Sequence, residues 1–183
     1  MPSDFSIRHA ARQIKHGGII AYPTDTIYGL GCDPYNANAV ERLNQIKFRP
    51  QSKQFILLAG HFSQIEPLIT ANNEQVDLIK RTSEPTSWVA DASPLAPLWL
   101  TSSENTLTIR ISESDVVKKL CRRMGHAIIS TSANLSGKKP AKNNIEIRKY
   151  FGDTLDSILA TNKKLSPKPS KIIRLCDNHI IRD

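Results

Sequence analysis

Three short polar segments of the sequence carry the side chains best suited to chemistry. Residues 47–53 place Lys47, Arg49 and Lys53 within seven positions, and residues 22–31 and 130–140 are rich in hydroxyl, amide and glycine residues. Guanidinium and ammonium groups bind phosphate, while hydroxyls and backbone N–H groups add neutral donors around an anion. This combination favours an anionic ligand such as a nucleotide.

Arg110 is a further candidate because of the strand pattern around it. Residues 106–111 alternate polar and apolar side chains, as a half-buried strand does, so Arg110 and Thr108 share the face opposite Ile109 and Ile111. If that face lines a cleft, the planar guanidinium can hold a carboxylate through two hydrogen bonds. The periodicity by itself favours the other interpretation, a solvent-facing arginine.

Each polar segment also has an ordinary structural interpretation. Residues 22–31 can form a plain strand-to-helix loop, and the cations of residues 47–53 suit the negative end of a helix dipole. Residues 130–140 can form a polar turn with local side-chain caps. The sequence contains neither a Walker A pattern nor a nucleophile elbow.

What the segments lack narrows the reaction. The five histidines have no ligand spacing, and Asp25 is the only acid in the three polar segments. Such a set favours positioning and charge stabilisation in phosphoryl or nucleotidyl transfer over acid–base hydrolysis. We therefore assign no catalytic acid or base and no metal ligand to the side chains. Mg²⁺ would be carried largely by the nucleotide phosphates, because it needs few protein ligands.

Helices and short apolar strands alternate along the chain and must position these side chains. The patterns predict helices over 5–16, 37–48, 62–69, 74–81, 115–124 and 145–151. They predict strands over 18–23, 55–59, 87–90, 106–111, 127–130, 157–160, 171–175 and 179–181, with loops over 24–34, 131–142 and 161–171. This order predicts a single α/β domain over residues 1–183, with a mixed sheet flanked by helices.

Composition limits the class of protein. The chain has 183 residues, 39% of them hydrophobic and 23% charged, which is typical of a globular domain and excludes a disordered chain or a coiled coil. No apolar run approaches a membrane span, and the N-terminus does not resemble a signal peptide. The three cysteines are widely spaced, so we expect a reducing, cytoplasmic compartment. The net charge of +8 suits anionic partners or simply a lysine-rich surface.

The polar segments, in their order along the chain, resemble the YrdC-like family. The resemblance rests on YPTDTIYGLG at 22–31, KFRP at 47–50, TIR at 108–110, STSANLSG at 130–137 and PSKI at 169–172, and it covers about residues 7–176. It implies a YrdC-like α/β fold whose twisted mixed sheet has a positively charged concave face.

The resemblance also implies a reaction. L-threonine, bicarbonate and ATP, with Mg²⁺ carried by ATP, would give L-threonylcarbamoyladenylate and pyrophosphate. The product would feed threonylcarbamoyladenosine formation on tRNA, so tRNA and the downstream tRNA threonylcarbamoyltransferase proteins are candidate partners. By motif, Thr24 and Arg110 would bind threonine. The nucleotide would be bound by Lys47, Arg49, Lys53, Ser130, Ser132, Asn134 and Ser170.

The sequence departs from the family pattern at two places. A Trp-Pro-Gly-Pro-x-Thr segment common in the family is replaced by SEPTSWV at 83–89, and Lys171 stands where a small polar residue is common.

The basic runs 118–119, 122–123 and 138–139 leave a second hypothesis, a non-catalytic RNA-binding paralogue of the same fold. Aromatic residues make up only 6% of the chain, which gives little support for base stacking.

Overall fold

The computed structural model describes residues 1–48, 54–163, 165–166 and 168–183, and within them the chain forms one mixed α/β domain. The helices are α1 (Asp4–Lys15), α2 (Ala37–Lys47), α3 (Asn73–Arg81), α4 (Asp115–Met124) and α5 (Asn144–Phe151). The strands are β1 (Ile20–Pro23), β2 (Tyr28–Gly31), β3 (Ile56–Ala59), β4 (Ile69–Thr70), β5 (Thr86–Ala92), β6 (Thr106–Ile111), β7 (Ile128–Ser132), β8 (Ser157–Ile158), β9 (Lys171–Arg174) and β10 (Ile180–Arg182).

The strands of the described residues form one sheet in the order β10-β9-β5-β6-β3-β7-β2-β1-β8, and β4 pairs with β5. The pairs β3–β6, β5–β9 and β1–β8 are parallel, and the other neighbours are antiparallel. The predicted mixed sheet is therefore confirmed. Its central strands, β6, β3 and β7, come from distant parts of the chain.

The sheet buries apolar side chains on both faces. Leu57, Ile109 and Ile129 pack on one face with Leu43 of α2 and Ile147 of α5. On the other face Leu58 and Ile128 pack against α1 and α4 through Ile14, Val117 and Leu120. Successive strand residues point to opposite faces, so β3 supplies Leu57 to one cluster and Leu58 to the other.

Helices α1 and α4 cover only part of the second face. Ile56 lies two residues before Leu58, and Ser130 lies two residues after Ile128, so each points to the same face as its partner. These uncovered positions line a cleft together with Thr108 and Arg110. Because α1 and α4 leave part of this face uncovered, there is space for a ligand beside them.

Most predicted elements are confirmed within a few residues, but three predictions are wrong. The expected loop over 24–34 contains strand β2, the predicted helix over 62–69 is two 3₁₀ turns followed by β4, and β7 extends beyond 130 to Ser132. Pro67 explains the second difference, because proline lacks the N–H that a continuous helix needs. The third places Ser130 and Ser132 on a strand of the sheet.

Glycine explains why β2 resembles a loop in the sequence. Tyr28 and Leu30 enter the core, and the glycines between and after them have the pattern of breakers. A Cβ on Gly31 would lie 2.1 Å from the carbonyl oxygen of Ile129, so glycine is required for the close approach of β2 to β7. The glycines of this segment therefore belong inside the sheet.

A helix that crosses a bilayer needs about 20 apolar residues. None of the helices in the described ranges has that length and apolar character.

Candidate functional site

Two adjoining cavities lie on the uncovered face of the sheet. The inner cavity has a volume of about 230 Å³, and the outer cavity has a volume of about 660 Å³. They adjoin because they share lining residues, among them Gln54, Thr108, Ser132, Asn134 and Arg182. Together they form one cleft with two compartments.

The register of three neighbouring strands builds the floor of the inner cavity. Ile56 of β3 pairs with Thr108 of β6 on one side and with Ser130 of β7 on the other. Arg110 lies two residues beyond Thr108 and therefore shares its face. The sheet thus brings residues 56, 108–110 and 130 together across long separations in sequence.

Arg110 is held at the inner cavity by an ion pair. Its side chain is only 5% exposed, and Nη2 donates to Oδ1 of Asp25 at 2.5 Å. Nη1 donates to Oγ1 of Thr26 at 3.3 Å, and Oγ of Ser112 donates to the same Asp25 oxygen at 2.8 Å. The periodicity of β6 favours a solvent-facing arginine, whereas the structure places Arg110 in the cleft.

Thr24 and Thr26 form a tight turn at the wall of the inner cavity. Oγ1 of Thr24 donates to the carbonyl of Ile27 at 2.7 Å and accepts from the backbone N–H of Thr26 at 3.1 Å. Both side chains are buried and line the inner cavity. The predicted residue Thr24 is therefore at the cleft, beside Arg110.

Lys47 lies at the last residue of α2 and lines the outer cavity. Its side chain is buried, and Nζ donates to the carbonyl oxygens of Ser132 at 2.5 Å and Asn134 at 2.6 Å. The ammonium group therefore connects α2 to the segment that follows β7. The other two predicted cations, Arg49 and Lys53, lie outside the described residues.

Side chains within residues 130–138 fold that segment around the cleft. Oγ of Ser132 donates to Oδ1 of Asn134 at 2.5 Å, and Nδ2 of Asn134 donates to the carbonyls of Leu135 and Lys138. These hydrogen bonds are the local side-chain caps expected if residues 130–140 form a polar turn. Ser130, Ser132 and Asn134 also line the inner cavity, so the segment is both a capped turn and part of the cleft wall.

The C-terminal strands close the cleft on the opposite side. Ser170 lines the inner cavity, and its hydroxyl lies 2.9 Å from that of Ser87. Arg182 donates to the carbonyl of Ser170 through Nε and Nη2, at 3.2 and 2.7 Å. Lys171 instead pairs with Glu84 at 3.2 Å and with Asp183 at 3.7 Å, and it does not line either cavity.

Several lining residues are not predicted from the sequence. Arg174 and Arg182 belong to the last two strands, Gln54 precedes β3, and the sequence indicates Thr108 only as sharing the face of Arg110. Isolated arginines in short strands give no recognisable motif. Only the alternation of β6 offers a signal, and it points to Thr108.

The cleft is electrostatically positive. Among its described lining residues, Lys47, Arg110, Arg174 and Arg182 are cations, and Glu104 is the carboxylate. Burial, and then the nearby charge of Arg110, lower the pKa of Arg182, which remains protonated at neutral pH because arginine titrates far above it. One compartment can bind a carboxylate and the other a phosphate chain, with hydroxyls and amides between them.

The described residues contain no group of three or more acidic, histidine or cysteine side chains that could hold a metal ion. The donor set of the cleft, cationic and hydroxyl-rich, suits an anion and not a divalent cation.

The family model Sua5/YciO/YrdC, described as "Telomere recombination", matches residues 12–183. The chain belongs to the Sua5/YciO/YrdC family. The matched range includes all of the motifs that suggest a YrdC-like resemblance, and that resemblance is confirmed.

Relatives and solved structures agree with membership in the Sua5/YciO/YrdC family. The chain is 40% identical over 157 residues to a threonylcarbamoyl-AMP synthase of Halorhodospira halophila, covering 85% of this chain and 82% of the relative. It superimposes on E. coli YciO with a TM-score of 0.88 at 26% identity, covering 100% of this chain and 93% of the other. It superimposes on P. abyssi Sua5 complexed with L-threonine with a TM-score of 0.87 at 29% identity. The superposition with Sua5 covers 94% of this chain but only 51%, about half, of the Sua5 chain.

Proposed function

We propose that this chain is a threonylcarbamoyl-AMP synthase, an ATP-using nucleotidyltransferase. It converts L-threonine, bicarbonate and ATP into L-threonylcarbamoyladenylate and pyrophosphate. The observation that carries the proposal is the two-compartment cleft, with Arg110 in the inner cavity, Lys47 in the outer cavity and Arg182 bordering both. Family relatives with the same activity in their names support it.

The inner cavity suits the amino acid. Arg110 offers a planar fork of donors to the threonine carboxylate, and Thr24 lies on the adjoining wall. The inner cavity has a volume of about 230 Å³, which is suited to a small molecule and not to a whole nucleotide. A member of the same family has been solved with L-threonine bound.

The outer cavity suits the nucleotide. We assign the phosphates to Lys47 together with Arg49 and Lys53, of which only Lys47 is among the described residues. Ser132 and Asn134 line both compartments, whereas Ser130 and Ser170 line the inner one. We assign all four to the side of the nucleotide that faces the amino acid. Mg²⁺ enters as Mg-ATP, coordinated mainly by phosphate oxygens.

We infer a sequence of bond changes in which the atoms balance. The threonine amine and bicarbonate form a carbamate with loss of water. A carbamate oxygen then attacks the α-phosphorus of ATP, and the bond to the departing pyrophosphate breaks. The cations of the cleft stabilise the negative charge that develops on the phosphate oxygens, which is the main protein contribution in such transfers. The proposed mechanism assigns no nucleophile to the protein.

The adenylate product would be used in the cytoplasm by the proteins that form threonylcarbamoyladenosine on tRNA.

The basic runs that suggest the RNA-binding alternative lie on α4 and on the exposed part of the 130–140 segment. Two of the α4 cations have acidic partners, Lys118 with Glu113 and Arg123 with Asp4. The cleft, rather than these runs, carries the polar side chains that converge on one ligand site.

The test is pyrophosphate release with L-threonine, bicarbonate and Mg-ATP, with mass spectrometry of the adenylate product. We expect release to require both threonine and bicarbonate, and Arg49→Ala and Arg110→Lys to lose most of it while remaining folded. Threonine-independent release would contradict the proposal. Salt-sensitive tRNA binding with no binding of ATP or threonine would instead support the non-catalytic RNA-binding paralogue.

A further inference from the structure

The Asp25–Arg110 pair is the most buried ion pair recorded between described residues. The side chains of Arg110 and Asp25 are 5% and 15% exposed, and the other pairs are more exposed. Asp25 does not line the inner or the outer cavity, although Arg110 lines the inner one. Asp25 therefore has its direct contact with the site through Arg110, and its charge can also act on a bound ligand through space.

The carboxylate of Asp25 is itself fixed from behind. Its Oδ1 accepts from Oγ of Ser112 at 2.8 Å, and Ser112 is fully buried. The backbone N–H of Ser112 donates to the carbonyl of Ala59 at 2.8 Å, so the end of β3 holds it in place. Oγ of Ser112 also accepts from the backbone N–H of Ser114 at 3.2 Å, just before α4.

Two effects disfavour the observed orientation of the Arg110 guanidinium, an unpaired buried N–H and repulsion from another cation. Its Nε is buried and has no hydrogen-bond partner, and an unpaired buried donor is unfavourable. Arg182 lines the same cavity, and burial, followed by the charge of Arg110, lowers the pKa of Arg182, so the two cations repel each other. The side-chain contacts of Arg110 with Asp25 and Thr26 oppose both effects, and of these two partners Asp25 is the charged one.

We propose that Asp25, supported by Ser112, is a positioning residue that orients Arg110 for the carboxylate of the amino-acid substrate. This inference rests on the proposed function, because it concerns the same site. A guanidinium binds a carboxylate strongly only when two N–H donors are aligned with both oxygens. Asp25 provides that alignment before the substrate binds, and it balances the charge of Arg110.

Positioning and simple electrostatics predict opposite results for Asp25→Asn. Removing a negative charge makes the cleft more positive, so electrostatics alone predicts tighter threonine binding. Positioning predicts weaker binding, since the fork is no longer held. We expect Asp25→Asn and Asp25→Ala to raise KM for threonine by about 10- to 100-fold, the range for loss of one or two hydrogen bonds to a charged group. KM for ATP is expected to change less than about twofold.

Asp156→Asn is the matched control. One oxygen of Asp156 accepts from Nη1 of Arg42 at 2.9 Å and from the backbone N–H of Ile19 at 2.7 Å, and Asp156 lines neither cavity. It therefore repeats the arginine-and-second-donor arrangement away from the cleft. Asp156→Asn is expected to lower the melting temperature and leave KM for threonine unchanged.

Ser112→Ala tests the same proposal if the Asp25 variants do not fold. It removes one hydrogen bond to Asp25 and keeps both charges, and it is expected to raise KM for threonine by about 3- to 10-fold. With an active wild type, an unchanged or lower KM for threonine in the folded Asp25 variants, or in Ser112→Ala if they do not fold, overturns the inference. A wild type without threonine-dependent pyrophosphate release refutes the proposed function instead.

Discussion

At the scale of single residues, Lys47 shows how one cation can serve both the fold and the cleft. The sequence allows two interpretations, a charge at the negative end of a helix or a phosphate ligand. The structure places it at the end of α2, bound to the carbonyls of Ser132 and Asn134, and at the wall of the outer cavity. The two interpretations are compatible, because a lysine ammonium has three N–H donors.

Lys47→Met is expected to weaken both stability and nucleotide binding. The carbonyls of Ser132 and Asn134 lose a charged donor, which costs about 1–3 kcal/mol in the free energy of unfolding, and KM for ATP rises about tenfold or more. Urea unfolding and initial-rate kinetics measure the two effects. Lys15→Met, in the exposed last turn of α1, is the control and should change neither by much. A destabilised Lys47→Met with normal KM for ATP would show that the lysine is structural only.

At the scale of elements, the cleft depends on how closely β2 approaches β7. Gly29 and Leu30 pair with Ser132 and Thr131, and the hydroxyl of Tyr22 donates to the carbonyl of Ile129 at 3.1 Å. Beside that carbonyl there is no room for a side chain at Gly31. Strand β7 carries Ser130 and Ser132 to the cleft, so its distance from β2 determines where these hydroxyls lie.

Gly31→Ala is expected to destabilise the protein strongly. The new Cβ would lie 2.1 Å from the oxygen of Ile129 and 2.9 Å from the ring of Tyr22, so the backbone must move. We expect a loss of about 3 kcal/mol or more, at the upper end of overpacking effects. Chemical unfolding measures it.

Gly125→Ala is the control for the glycine substitution. Gly125 follows α4 with a φ of +86°, and a Cβ added there would meet no side chain or distant backbone atom within 4 Å. Only the left-handed backbone is unfavourable for alanine at this position, at about 1–2 kcal/mol. If Gly31→Ala costs no more than Gly125→Ala, then β2 and β7 are not as closely packed as the structure indicates.

At the scale of the whole molecule, the chain has a net charge of +8, and its described cations lie both in the cleft and on the outer surface. Four of the described cations line the cleft against one carboxylate, and others lie on α1 and α4, where Asp4 is surrounded by Arg123, Lys119 and Arg8. Charge composition alone could not distinguish these places. A general lysine excess and a specific anion site coexist in this protein.

The three cysteines test the packing of the whole domain. Cys32 and Cys121 are buried, which raises the pKa of each thiol to about 12, whereas Cys176 is exposed. Because the thiolate is the reactive form, we expect one fast-reacting thiol per native chain at pH 8 and three in denaturant. A colourimetric thiol assay measures this number. Rapid reaction of more than one thiol in the native protein would contradict the described core.

Local patterns in the sequence were enough to predict most elements and the mixed α/β class. Periodicity identified α1 and α4 because each has one buried face that repeats along the chain. It identified β6 because polar and apolar residues alternate there, although the structure buries both faces of that strand. It failed at β2, where glycines serve close packing with β7, a contact that no local pattern records. The family motifs identified Thr24, Lys47, Arg110, Ser130, Ser132, Asn134 and Ser170, all of which line the cleft.

By itself, the sequence determined the kinds of side chain available and the local elements that carry them. Only the tertiary structure decided that Arg110 faces a cavity, that Asp25 and Ser112 hold it, and that Arg182 joins it from the last strand. The physical reason is that strand order is non-local: β6, β3 and β7 become neighbours through crossovers of the chain. Side-chain spacing along one segment contains no information about which distant strand will lie beside it.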